Sequence, residues 1–176
     1  MPKLVATLGT SPGGVAESLL YLNKIGILIN DIEILLTSEP TVLKSYNIVS
    51  TILTCCVNLG YDIYISKHVL PFNDIESNEE LITLKTKLEE IINEGDYVDI
   101  TGGRKAISVI AALIAKKKKA HVITSIIPQD EYTRINNLLK NIQTKEIKSR
   151  RECDEETKKL YCSLISNTSK TILFEL

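Results

Sequence analysis

Short apolar runs alternate with longer stretches of helical periodicity over the first two thirds of the chain, and this alternation restricts the fold more than any other feature. Leu4-Val5-Ala6-Thr7-Leu8 precedes an amphipathic stretch from Val15 to Lys24, and Ile32-Glu33-Ile34-Leu35-Leu36 precedes another from Pro40 to Leu59. Asp62-Ile63-Tyr64-Ile65 is followed by the charged stretch Asn78 to Asn93, Tyr97-Val98-Asp99-Ile100 leads into Lys105 to Lys116, and His121-Val122-Ile123-Thr124 supplies a fifth strand. Parallel strands need a long crossover between them, so the repeat predicts βαβ units in a Rossmann-like α/β fold, an open, mainly parallel sheet with helices on both faces. Beyond Pro128 the pattern weakens. Ile135 to Ile142 reads as helix or loop, Glu146-Ile147-Lys148 as a short strand, Asp154 to Ile165 as a helix, and Lys170 to Leu176 as a closing strand that can run antiparallel. No internal repeat or composition shift marks a second domain. A single domain is expected over 1–176, with a Rossmann-like core at 1–127 and a C-terminal extension at 128–176 that completes the site.

A chain of 176 residues buries roughly 70% of its unfolded surface, enough for a core without staples. The net charge of −1 argues against a broad basic face, so no long nucleic acid is expected, while a compact polyanion needs only a few local cations. The cationic run Lys116 to Lys119 falls at a helix end, where it complements the helix dipole. Nowhere do 18 or more apolar residues follow one another, so no membrane partner and a cytoplasmic location are expected. Cys55, Cys56, Cys153 and Cys162 match no CxxC spacing; they read as buried thiols, with a Cys153–Cys162 disulfide as the alternative.

In an open parallel sheet, ligands gather outside the carboxyl ends of the strands. That rule selects Gly9-Thr10-Ser11-Pro12-Gly13-Gly14, Thr37-Ser38-Glu39-Pro40, Thr101-Gly102-Gly103-Arg104-Lys105 and Ser125 to Gln129. Gly9 and Gly14 have the separation of a phosphate loop, but Val15-Ala16 stand where Lys and Ser/Thr belong, so this is no Walker A motif. It offers either a helix N-terminus with the hydroxyls of Thr10 and Ser11 to an anion, or a plain glycine-rich turn. Arg104 and Lys105 put two cations at a helix start, where the dipole disfavours them, and this calls for a compensating anion. A bound phosphate fits that requirement, and an ion pair with Asp99 is the alternative.

"LGTSPGGVAESLL" and "DITGGRKAISVIAALIA" together resemble the CRISPR-associated Rossmann-fold, or CARF, family. The second fits that family's D-x-[ST]-x-x-x-[RK] segment through Asp99, Thr101 and Lys105. The resemblance covers residues 3 to about 127. It implies binding of a cyclic oligoadenylate, most often cyclic tetra-adenylate, across the axis of a homodimer, for which Tyr21 and the helix from Pro40 to Leu59 are candidate interface elements. A chain this short resembles the stand-alone ring nucleases, which open that ring and switch off type III CRISPR signalling. The resemblance implies Ser11 and a C-terminal lysine, here Lys170, as the catalytic pair. Gly9, Thr10, Pro12, Gly13, Thr37, Ser38, Thr101, Gly102, Gly103, Arg104 and Lys105 are the expected ligand-binding positions.

The chemistry asks for no cofactor and no metal. Each ribose 2′-hydroxyl of such a ring can attack its neighbouring phosphorus, so the protein has only to position the ring and stabilise charge. His68 and His121 are the only histidines, and neither reads as a general base in the site. A sensor that grips the ring without cutting it is the rival reading. A mononucleotide or sugar-phosphate enzyme comes next, and a helix-turn-helix regulator last. The basic stretch Lys145 to Arg151 reads as a solvated loop or one that closes over the ligand.

Overall fold

A computed structural model describes residues 1–175. The chain runs β1 (Leu4–Thr7), α1 (Gly14–Lys24), β2 (Asp31–Leu36), α2 (Pro40–Cys56), β3 (Tyr64–Val69), α3 (Asn78–Ile91), β4 (Tyr97–Asp99) and α4 (Lys105–Lys117). It continues through β5 (His121–Ile126), α5 (Gln129–Leu139), a 3-10 turn at Arg150–Glu152, α6 (Glu155–Cys162) and β6 (Lys170–Phe174). The strands form one sheet in the order β3-β2-β1-β4-β5-β6. All neighbours pair in parallel except β5 and β6, which are antiparallel, as the sequence allows. Order reverses between β1 and β4, so the crossovers leave to opposite faces and the loops after these two central strands meet.

Alternation along the strands builds two cores. Leu4, Ala6, Ile32, Ile34 and Ile123 face the layer of α1, α2 and α6, while Val5, Leu35, Val98 and Val122 face α3 and α4. Each fully buried Leu, Ile or Val among them stabilises the fold by about 1.5–3 kcal/mol. Among the described residues no helix is long and apolar enough to cross a membrane.

Departures from the sequence expectations lie at boundaries and in the extension. α2 ends at Cys56 rather than Leu59, and β3 begins at Tyr64 rather than Asp62. α5 starts at Gln129, well before the expected Ile135: Pro128 is the extended N-cap residue, and Asp130 and Glu131 in the first turn complement the helix dipole. Glu146–Lys148 is not a strand: its single apolar residue, Ile147, gives a sheet nothing to bury. Of the expected strand Lys170 to Leu176, Leu176 lies outside the described residues.

The cysteine expectation is overturned. Cys55 bonds Cys153 and Cys56 bonds Cys162, with no free thiol remaining. Cys153 and Cys162 flank α6, and nine residues of helical rise separate them by about 13 Å, beyond the roughly 7 Å Cα limit of a disulfide. Adjacent residues at the end of α2 instead reach one end of α6 each.

Candidate active site

The loops after β1 and β4 interlock at the carboxyl rim. A Cβ on Gly102 would stand 2.7 Å from the Gly9 nitrogen, and one on Gly9 would stand 2.8 Å from the Gly103 nitrogen. These are backbone neighbours that cannot swing aside, so glycine is the condition for the two turns to touch. Gly103 also has φ +95°, which favours glycine on conformational grounds. Thr7 Oγ1 donates to the Gly102 carbonyl at 2.7 Å and fastens the second loop to β1. α1, α2 and α4 all begin at this rim with no side-chain cap at Gly13, Glu39 or Arg104, leaving backbone N–H groups turned towards it.

Two cavities open here. The first, about 360 Å³, is lined by Gly9, Thr10, Ser11, Thr37, Thr101, Gly102, Gly103 and Arg104, together with Glu39, Leu8, Val42 and Ile107. The second, about 310 Å³, has Ser11, Pro12, Gly13, Gly14, Thr101 and Glu17 on one side and Ser125, Ile126, Tyr132 and Ile135 on the other. Ser11 and Thr101 line both. Of the expected positions, Ser38, Lys105 and Lys170 line neither. Ser38 donates its backbone N–H to Phe72 O, and Lys105 is exposed in the first turn of α4. Lys170 opens β6 opposite Ile126, so its backbone adjoins a wall of the second cavity.

Of the two cations at the start of α4, Arg104 finds its anions elsewhere than the sequence alternative. Asp99 does not pair with them. It is buried at the end of β4, and its Oδ1 accepts from the Thr101 backbone at 2.8 Å and from the Thr101 hydroxyl at 2.5 Å. Burial pushes its carboxyl up to about 6 against those hydrogen bonds. Arg104 instead reaches Glu39 at 3.2 Å and Asp74 at 3.7 Å, tying together the loops after β2, β3 and β4.

Sequence reasoning missed the polar groups beneath the rim. Glu17 is 5% exposed and its Oε2 has no hydrogen-bond partner. Burial raises its carboxyl to about 7, opposed by the Ser169 hydroxyl and the Ser166 backbone and reinforced by Asp99 and Glu131. The unpartnered set also includes Thr37 Oγ1 and Asp99 Oδ2 at the same rim. Ser125 is a hub: its N–H donates to Thr101 Oγ1, and its hydroxyl stands 2.7 Å from those of Ser18 and of Thr171. The available signal for Glu17 was one carboxylate inside the apolar run Val15 to Leu22.

The extension reaches the site. The Leu164 carbonyl would be 2.6 Å from a Cβ on Gly13. His121 stacks on Tyr97 at 4.6 Å at the amino end of β5, His68 bonds Glu33, and neither lines a rim cavity.

A mainly parallel α/β sheet with two interlocked glycine loops at its switch point is the architecture that the resemblance to CARF domains implies. Residues 11–162 match the family model described as CRISPR-associated protein NE0113, and the chain belongs to that family. It is 47% identical over 178 residues, covering the whole of both chains, to the CRISPR system ring nuclease SSO2081 of Saccharolobus solfataricus. Among solved structures it resembles Enterococcus italicus Csm6 bound to cyclic hexa-2′-fluoro-hexa-dAMP, with a TM-score of 0.51 and 14% identity over 98% of this chain. It also matches Can2 from Sulfobacillus thermosulfidooxidans in complex with cyclic tetra-adenylate, with a TM-score of 0.45 and 10% identity over 80% of this chain. It spans 41% and 48% of those two chains respectively, and at 14% identity the likeness to Csm6 speaks for the fold alone.

Proposed function

We propose that this chain is a ring nuclease that binds cyclic tetra-adenylate across a homodimer axis and cleaves it without a metal. The observation that carries the reading is the convergence of Ser11 and Thr101, from loops far apart in sequence, in the walls of both rim cavities. Full-length identity of 47% to a ring nuclease supports it.

In the proposed reaction a ribose 2′-oxygen forms a bond to the adjacent phosphorus as the bond to the 5′-oxygen breaks. This leaves a 2′,3′-cyclic phosphate and a free 5′-hydroxyl. The 2′-hydroxyl proton passes to water, and Lys170 neutralises the pentavalent phosphorus centre or protonates the departing oxygen. Ser11 orients the reacting ribose and phosphate. Uncapped helix starts and Lys105 hold the other phosphates, and Arg104 joins them by exchanging Glu39 and Asp74 for phosphate oxygens.

The partner surface we favour differs from the elements named from sequence. α2 is covered by α6 and cross-linked to its flanks, whereas α4, which continues from the Arg104 loop, exposes Val109 at 56% and Leu113 at 59%. A second copy packed there would set two rims side by side about the axis, and opposed cuts in the ring would give linear di-adenylates ending in cyclic phosphate. A sedimentation mass equal to one chain would remove this arrangement.

The test is incubation of the purified protein, in excess, with cyclic tetra-adenylate and separation of the products by chromatography. Ser11→Ala and Lys170→Ala should each slow cleavage by about 10²- to 10³-fold, and EDTA should leave the rate unchanged. An intact ring with retained binding would instead establish a sensor.

A further inference from the structure

The stretch from Lys140 to Cys153 is irregular apart from the 3-10 turn at Arg150–Glu152, yet it is fastened to both α2 and α6. Thr51 donates to the Lys145 carbonyl at 3.4 Å, Tyr161 to the Gln143 carbonyl at 3.1 Å, and Arg150 to the Val57 carbonyl at 2.5 Å. The Cys55–Cys153 bond closes its far end. It therefore lies along α2 and the edge strand β3 and not across the rim loops.

Between this strap and β3 runs a groove of about 500 Å³, walled by Tyr46, Tyr64, Lys67, Lys145 and Lys148. A neighbouring hollow of about 380 Å³ shares Tyr64 and Lys148 and adds Tyr61, Arg150 and Arg151. The cations outnumber the acidic side chains that line the two hollows, Glu146 and Asp62, although the chain as a whole carries −1. Glu146 meets Lys148 only at 3.9 Å with both side chains over three quarters exposed, so that pair neutralises little.

The aromatic rings are placed for stacking as well. Tyr64 is 62% exposed on the free edge of the sheet, and the Lys67 ammonium sits 4.9 Å over the Tyr46 ring. Tyr61 lines the second hollow as well, its hydroxyl buried without a hydrogen-bond partner. Cations that follow a groove, with aromatic faces between them, form the physical pattern that holds a single strand by its backbone and stacks its bases. A disulfide-anchored strap presents that pattern with less ordering entropy to lose than a free basic loop.

We propose that this groove is a second binding site, distinct from the rim, that takes a short single-stranded stretch of nucleic acid. It lies beside α2 and the amino end of β3, whereas the rim cavities lie at the carboxyl ends of the strands, so occupancy of one does not require the other.

The experiment is fluorescence anisotropy of the full chain with a fluorescein-labelled oligouridylate of about ten nucleotides, repeated with the deoxythymidylate. Saturable binding of either strand is expected, weakening steeply with salt and undisturbed by excess cyclic tetra-adenylate. Tyr64→Ala should weaken it about fivefold or more through lost stacking. The double variant Lys148→Ala/Arg151→Ala should weaken it at least about tenfold and lower the slope of log affinity against log salt by about 1.4. Each variant should keep the wild-type thermal midpoint and, where the wild type cleaves the ring, its cleavage rate. Absence of saturable binding, an affinity unmoved by Tyr64→Ala, or displacement by the ring would overturn the proposal. Those results say nothing against ring cleavage, which is read from its own products.

Discussion

The carboxyl rim and the strap along α2 are both irregular backbone, yet opposite means hold them. At the rim two loops touch main chain to main chain, so closely that Gly9 and Gly102 have no room for a methyl group. Along the strap the contacts are side chain to carbonyl, its far end is tied by the Cys55–Cys153 bond, and the Cys56–Cys162 bond fastens the helix that follows. The rim has its geometry written in contiguous glycines and keeps unpaired polar atoms inside, as a ligand site does. The strap, with a poor apolar inventory, depends on covalent closure. Order in the first region is local chemistry; in the second it is imposed from a distance.

Cutting the covalent ties is the strongest way to break that contrast. A Cys55→Ala/Cys56→Ala variant should lose about 4 kcal/mol, because each bond closes a loop on the order of 100 residues and the two loops nearly coincide. For a chain of this size the thermal midpoint should fall by about 10 °C. Wild type in reductant should fall equally, and the variant should no longer respond to reductant. Affinity for cyclic tetra-adenylate, measured well below either midpoint, should change little if the rim holds itself together. A large loss of affinity would show that the rim too depends on the cross-links.

A smaller effect sharpens the picture of the rim. Glu17 has its folded value raised from 4.5 to about 7 by burial, so the neutral carboxyl is the form the fold prefers. The resulting stability is complete below the unfolded value and is lost as pH rises through about 7. By pH 8 it amounts to about 3 kcal/mol against the wild type. Asp99, raised to about 6, acts in the same direction over a lower range. Urea denaturation of Glu17→Gln beside wild type should therefore show the variant gaining relative stability between pH 5 and pH 8. A difference that does not change with pH would mean that the Glu17 carboxyl is solvated and the polar interior of the rim is misdescribed.

The same contrast explains what the sequence made legible. The strands, helices and both glycine loops could be read because each is a contiguous pattern whose physics is local: alternation for β1 and β2, 3.6-residue periodicity for α1 and α4, and two glycines before a helix. Ser11, Thr37 and the Thr101 to Arg104 loop come together as the parallel-sheet rule requires. The ion pairing of Arg104 escaped because its partners Glu39 and Asp74 arrive from two other loops. Cysteine pairing escaped because it depends on how α6 lies on α2. α5 was misplaced because Gln129-Asp130-Glu131 carries no apolar periodicity and is helical through Pro128 and the acidic first turn. Ser125 stood in a stretch chosen by the sheet rule, but nothing in its neighbours shows that its hydroxyl meets Ser18 and Thr171.

Ser125→Ala gives the smallest and most local test. The change removes one oxygen and leaves the buried Ser18 hydroxyl and the Thr171 hydroxyl without the partner they share, at a penalty of about 1–2 kcal/mol. The Ser125 backbone N–H still donates to Thr101, so the β4 loop should keep its shape. What loosens is the start of β6, where Thr171 is pinned directly beside Lys170. If Lys170 acts on the ring and the β1 and β4 loops only bind it, the variant should retain its affinity for cyclic tetra-adenylate while single-turnover cleavage slows by about tenfold, which corresponds to about 1.4 kcal/mol of transition-state stabilisation. Equal losses in affinity and rate would place the contribution of β6 in ring binding and assign the rim and the extension one shared task.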